Sequence, residues 1–219
     1  VAVSSVAGSL FLGFSSAFWL YSITAEVFSL HHLLAALMVL AVLIWREKNL
    51  AGEENSNKWL YLLTFLAGLS FANQQAIVFL APPFLFLILI TDKRIFLKWK
   101  VMAQALVFLI LGLLPYLYLI IAASFSSALA WGIPDNLKRF FGIIAREGYG
   151  GVPSPEKGYA FYEHSGIDLW FYAKSLYLHF TLAGILLGVA GFYFLKRNKE
   201  ILVFLAGCLL FAGPFFLFY

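Results

Sequence analysis

The chain has 219 residues, 63% of them hydrophobic and 12% charged, with a net charge of +4 and a mean hydropathy of +0.89. A soluble domain carries roughly 45–50% apolar and about 25% charged residues, so an ordinary water-soluble fold is excluded and a membrane protein is indicated. The lysines and arginines gather at the edges of apolar runs, which membrane orientation explains better than nucleic-acid binding; no nucleic-acid partner is expected.

Runs such as Leu33–Trp45 and Val101–Ala123 are uninterrupted, whereas barrel strands alternate. Backbone groups in hydrocarbon must then be satisfied within helices. The expected class is an all-α polytopic membrane protein, with the lipid bilayer as its surroundings. In chain order we read about seven transmembrane segments near Val3–Ser22, Val27–Trp45, Trp59–Ala72, Ala76–Ile90, Val101–Ala123, Leu169–Leu195 and Ile201–Tyr219. A full span needs roughly 20 residues, so the third and fourth are short. They form either one helix kinked at Pro82-Pro83 or a hairpin turning at Asn73-Gln74-Gln75.

Charge selects the hairpin. Arg46, Lys48 and Lys58 mark one connection, Lys93, Arg94, Lys98 and Lys100 the next, and Lys196, Arg197 and Lys199 the third. A hairpin puts all three on one side, the cytoplasmic one by the positive-inside rule. Glu26, the Asn73–Gln75 turn and the long loop Ser124–Asp168 then share the non-cytoplasmic side and point to a common cavity. The chain opens at Val1 without Met or a signal-peptide pattern and stops at Tyr219 inside an apolar run. It reads as a fragment, a single transmembrane domain over residues 1–219. Cys208 is the lone cysteine, so no internal disulfide is expected.

Glu26 sits between two apolar segments. A carboxylate at the hydrocarbon boundary is costly unless paired or hydrated, so it is either functional or a solvated turn residue. His31 and His32 follow, but their spacing from Glu26 matches no strong metal-ligand motif; no cofactor or metal is expected. Asn73, Gln74 and Gln75 offer uncharged donors and acceptors, suited to a sugar or pyrophosphate head group or to capping two short helices.

Within the loop, a helix is expected over about Pro134–Glu147, with proline at its first position. Leu137, Phe140, Phe141 and Ile144 form its apolar stripe, the pattern of a surface helix on the bilayer. Arg146 and Tyr149 come at its end. The Arg146 guanidinium fits a phosphate, either of a specific lipid-linked donor or of bulk lipid, or it pairs with a loop glutamate. Trp131, Tyr149, Tyr159 and Tyr162 suit sugar stacking or an interfacial aromatic belt. Glu163, His164 and Asp168 are weaker acid–base candidates. The chain holds no glycine-rich phosphate loop and no nucleophile elbow.

The runs F-W-L-Y-S-I-T-A-E-V-F (18–28), G-L-S-F-A-N-Q-Q-A-I-V-F-L-A-P (68–82) and W-G-I-P-D-N-L-K-R-F-F-G-I-I-A-R-E-G-Y-G (131–150) resemble, in order, a large polytopic family long catalogued as a domain of unknown function. Its animal member is an endoplasmic-reticulum protein O-mannosyltransferase, and the family is similar to glycosyltransferases of the GT-C fold. The resemblance covers about residues 1–175. It implies a partial GT-C-like fold and a polyprenyl-phosphate sugar donor, with transfer to a protein hydroxyl or glycan acceptor on the non-cytoplasmic side. The membrane would be a bacterial inner membrane or the endoplasmic reticulum.

Glu26, Trp131, Gly132, Arg146, Tyr149 and Gly150 match family motif positions. Family members often carry histidines at Gln74-Gln75 and tyrosine at Phe28, and their first external loop, with its acidic segment, is absent here. The general base is therefore expected upstream, and the donor-binding set is Glu26, Asn73, Gln74, Gln75, Trp131, Arg146 and Tyr149. The rival readings are a transporter or lipid flippase, and a non-catalytic assembly subunit.

Overall fold

The computed structural model describes residues 2–24, 27–123, 134, 136–145 and 165–214, and these are helical with no strand. Ten α-helices follow in order among them: α1 Ala2–Gly13, α2 Ser16–Ile23, α3 Phe28–Leu50, α4 Asn57–Asn73, α5 Ala81–Thr91, α6 Trp99–Gly112, α7 Pro115–Ala123, α8 Leu137–Ile144, α9 Ser165–Phe194 and α10 Lys199–Ala212. A 3₁₀ turn, Gln75–Leu80, leads into α5.

In its described residues each expected apolar segment is mainly helical, but not each is a straight span. Three helical stretches are long and apolar enough to cross a membrane: Phe28–Leu50, Trp99–Ala122 and Leu169–Arg197. A fourth is possible if Val6–Gly13 and Ser16–Ile23 count as one span bent by 61°. The bend falls where Ser15 caps α2, its side chain accepting from the Phe18 amide; serine-rich breaks of this kind release the helical ladder. The helix α9 is likewise broken at Thr181, whose φ of 59° and ψ of 170° are non-helical.

Contacts between helices fix their directions. Tyr61 stacks on Phe108 at 5.6 Å, Gly68 meets Leu109 and Gly112, and the Phe71 and Tyr116 rings lie 6.4 Å apart. The helix α4 therefore runs parallel to α6–α7, and the chain must return between them through Gln75–Thr91. This is the hairpin expected from charge. Pro82 and Pro83 do not kink a helix; they stand at the start of α5, where a missing N–H costs nothing.

On the other side α3 runs antiparallel to α4, with Asn73 at Val27 and Ser70 at Met38. Glu200, at the start of α10, pairs with Arg46 near the end of α3. The three basic connections thus gather at one end of the bundle, and Val27 with Asn73–Gln75 at the other.

The core sits among α3, α4, α5 and α10, where Trp45, Val42, Leu87, Ile95 and Phe204 have no exposed surface. By contrast, none of the α9 membrane window is buried. An apolar helix left open in this way is compatible with lipid, which is as apolar as leucine.

The α4–α6 crossing is the closest approach described. A Cβ on Gly112 would strike the Phe65 carbonyl and come within 2.8 Å of the Leu69 nitrogen, whereas one on Gly188 would meet nothing within 4 Å. Gly112→Val should cost about 1–3 kcal/mol by forcing the helices apart, and Gly188→Val should stay within about 0.5 kcal/mol of wild type; thermal unfolding in one detergent compares them.

At the basic end Asp92 accepts from the Lys98 ammonium at 2.6 Å and from the Arg94 amide at 3.0 Å. Burial pushes its carboxyl up, but the Lys98 and Arg94 contacts outweigh this, and its pKa lies below the usual carboxylate value. A depressed folded pKa gives stability that is present above the unfolded value, about 3.9, and is lost as pH falls through the folded one. Acidification from pH 5 to 2 should loosen the α5–α6 connection, and Asp92→Asn should flatten that dependence in hydrogen-exchange measurements of Lys93–Lys98.

Candidate functional site

The end of the bundle away from the basic connections is built from helix termini. A helix leaves its last four carbonyls without intrahelical partners, and here uncharged side chains from other elements reach two of them, at Phe71 and Ile144.

Asn73, the last residue of α4, donates from Nδ2 to the Val27 carbonyl at 3.1 Å. Gln74 takes an extended backbone, φ −148° and ψ 114°, that ends α4. The chain then turns, and Gln75 Nε2 donates to the Tyr116 hydroxyl at 3.2 Å and to the Ile144 carbonyl at 2.5 Å. Tyr116, in the first turn of α7, donates in turn to the Phe71 carbonyl in the last turn of α4 at 3.1 Å. One short turn thus holds the start of α3, the start of α7 and the end of α8.

Asn73 and Gln75 tie separate elements together and do not cap their own helices. Their remaining capacity is limited. A primary amide has two donor hydrogens and one acceptor oxygen, so Gln75, with both donors engaged, keeps only Oε1 for a ligand. It can receive a sugar hydroxyl but has no hydrogen left for a phosphate oxygen. Asn73 retains one donor and its oxygen.

Glu26 lies outside the described residues, but both flanks of its turn are held. Ser29 Oγ donates to the Tyr21 carbonyl at 2.9 Å, and the Tyr21 and Phe28 rings meet edge-on at 5.1 Å. The His31 and His32 rings lie 5.9 Å apart, and among the described residues no three metal-ligating side chains lie together.

Trp131, Arg146 and Tyr149 also lie outside the described residues, as do Gly132, Gly150, Tyr159, Tyr162, Glu163, His164 and the Asp168 side chain. The loop helix itself is shorter than expected. Asn136 caps it, accepting from the Arg139 amide at 2.9 Å, so α8 spans Leu137–Ile144 and Pro134 precedes the helix instead of opening it. Asparagine at an N-cap captures an otherwise unpaired amide, a stronger start signal than proline alone. The apolar stripe is present: Leu137 and Phe141 are 72% and 61% exposed, whereas Gly142 is buried. The helix therefore touches protein on one side and offers large apolar side chains on another.

Sequence reasoning missed Tyr116. It stands in the apolar run L-L-P-Y-L-Y-L, where only its place directly after Pro115, at a helix start, hints that its hydroxyl has a backbone partner.

Residues 1–97 match the family described as the Protein O-mannosyl-transferase TMEM260 N-terminal domain. Over 146 residues, 63% of the chain, it is 30% identical to protein O-mannosyl-transferase tmem260 of Dictyostelium discoideum, covering 18% of that protein. Over 141 residues, again 63% of the chain, it is 34% identical to protein O-mannosyl-transferase TMEM260 of Mus musculus, covering 20% of it. The chain is homologous to these proteins. They bear out the family resemblance read from its motifs, and the long apolar helices support a membrane protein. The chain spans about a fifth of the length of the curated relatives it matches. No solved structure matches it.

Losing the Asn73 tie has a measurable cost. Asn73→Ala should destabilise by about 0.5–1.5 kcal/mol, the usual net worth of such a hydrogen bond, and raise amide exchange in the first turn of α3, next to Glu26. Unchanged exchange at Phe28–Leu30 would show that Asn73 does not hold that turn.

Proposed function

We propose that this chain is the membrane part of a GT-C-like glycosyltransferase that moves a sugar, mannose by analogy with its relatives' names, from a polyprenyl-phosphate donor to a protein hydroxyl or a glycan. The observation that carries this reading is the convergence at one end of the bundle. Val27, beside Glu26, is bound by Asn73, and Ile144, two residues before Arg146, is bound by Gln75. Segments distant in sequence thus meet where polar groups would otherwise be hard to keep near hydrocarbon, in a chain homologous to mannosyltransferases.

On this reading the seven helical segments each cross or nearly cross the bilayer, alternating in direction. The basic connections face the cytoplasm by the positive-inside rule, and the Asn73–Gln75 end faces the opposite side. The short α4 and the 3₁₀–α5 arm leave the turn below the surface, where non-helical backbone is tolerated if it lines a protein-covered or hydrated cavity.

The chemistry is a displacement at the anomeric carbon. The acceptor hydroxyl attacks, a carboxylate from another part of the protein takes its proton as general base, and the bond to the donor phosphate breaks with its electrons going to the phosphate oxygen. Arg146 neutralises that developing charge. Glu26, the free amide groups of Asn73 and Gln74 and the Gln75 Oε1 line the sugar side, with Trp131 and Tyr149 offering faces to the sugar ring.

Arg146→Ala in the full-length protein should lower transfer from a polyprenyl-phosphate sugar by about 10²–10³-fold, the range seen when one charge-stabilising donor is removed, with normal membrane insertion. Glu26→Gln should also slow transfer. Wild-type rates in well-inserted Arg146→Ala would remove Arg146 from the mechanism, and accumulation of unmodified solute across the bilayer would favour transport instead.

A further inference from the structure

The element α8 is placed unusually. It is two turns long, its apolar residues Leu137 and Phe141 are largely exposed, and among the described residues no helix packs extensively along it. Its C-terminal half meets the protein: Gly142 is buried and Ile143 half-buried. There the Ile144 carbonyl, one of the last carbonyls of the helix, receives the Gln75 amide. The same nitrogen also donates to Tyr116 Oη, whose own hydrogen is committed to the Phe71 carbonyl.

The three bonds form a directed chain. Because Tyr116 donates to Phe71, its oxygen can only accept from Gln75, and Gln75 must present both amide hydrogens outward, one to Tyr116 and one to Ile144. A side chain with both donors committed has a fixed orientation, and donors reaching otherwise unpaired helix-end carbonyls are not readily exchanged for hydrocarbon. The α4 end and the α7 start are themselves joined through the Gly68–Gly112 crossing, so this chain runs from a rigid helix pair to a lightly packed one.

We propose that Gln75 and Tyr116 form a latch that sets where the end of α8 sits against the bundle, and that both are positioning residues for the transfer reaction. The second part rests on the glycosyltransferase reading; the first does not. Their role is carried by Gln75 Nε2 and the Tyr116 hydroxyl, separately from the sugar-side Oε1 of Gln75. They act through α8, which carries the chain toward the phosphate-binding region, and a displaced wall of a site lowers the fraction of well-aligned encounters.

Three variants of the full-length protein in lipid nanodiscs test this. Gln75→Glu keeps the shape of the side chain and removes the donors. Tyr116→Phe keeps the ring on Phe71 and removes the hydroxyl. Gln75→His restores one N–H donor. Hydrogen–deuterium exchange over Leu137–Ile144 reads the latch, and kcat and KM for sugar transfer read its role.

The latch predicts that Gln75→Glu speeds α8 exchange at least several-fold, Tyr116→Phe less, and Gln75→His least. Positioning predicts that kcat falls about tenfold in Gln75→Glu while KM for the acceptor stays within about twofold, with partial recovery in Gln75→His. Unchanged α8 exchange in both Gln75→Glu and Tyr116→Phe overturns the latch whatever the activity. Faster α8 exchange with unaltered kcat keeps the latch and overturns the positioning role. If the wild-type protein transfers no sugar, the glycosyltransferase reading and the positioning role fail together, and the exchange data still decide the latch.

Discussion

Much at the polar end of this bundle depends on one requirement: a helix that stops against other protein must find partners for its terminal carbonyls. An unpaired buried carbonyl costs about as much as a lost hydrogen bond or more. The chain meets this requirement with uncharged groups drawn from elsewhere in the sequence. Tyr116 serves Phe71 in the last turn of α4 and Gln75 serves Ile144 at the end of α8, while Asn73 adds a second donor to the Val27 carbonyl at the start of α3, which already accepts from the His31 amide. Charged donors would hold more strongly but would bring their own desolvation cost; amides and a phenol avoid it. Satisfying the backbone and assembling the polar face are therefore one act, since each tie also draws two distant segments together.

The other end follows different physics. Arg46 pairs with Glu200 across two helices, Lys98 pairs with Asp92, and Lys48 with Glu53 at 2.6 Å. These connections bear charge freely because they stand beyond the apolar segments. The bundle is thus polarised along its axis, with ion pairs at one end and neutral hydrogen-bonded joints at the other.

Much of this was legible in the sequence, for identifiable reasons. Apolar runs mark helices because lipid leaves the backbone no alternative, and the placement of Lys93, Arg94, Lys98 and Lys100 relative to Arg46 and Lys58 selected the hairpin before any contact was known. The polar triplet at 73–75 stood out against its surroundings. What stayed hidden was pairing. Nothing local to Tyr116 or Ile144 says that they share Gln75, because the three meet only after the chain has reversed twice. The loop helix began later than Pro134 because Asn136, two residues on, captured the Arg139 amide. Glycine contacts were not legible either: of Gly184 and Gly188, a Cβ would meet a neighbour only at Gly184, chiefly the Phe11 ring, while the close α4–α6 crossing uses Gly68 and Gly112, isolated in sequence and matched only in space.

That crossing also determines how the polar end can respond to a load. Two helices in backbone contact have no side-chain layer between them to deform, so α4 and α6 transmit displacement almost without loss. Gly68 lies three residues, just under one turn, before Phe71, and Gly112 four residues before Tyr116, which makes the crossing a fulcrum with a short arm. A tilt of a few degrees there moves the Phe71–Tyr116 joint by a fraction of an ångström, less than a hydrogen bond tolerates. The joint therefore inherits its precision from two missing side chains, and a methyl group added at either would be felt as a shift in the polar wall above it.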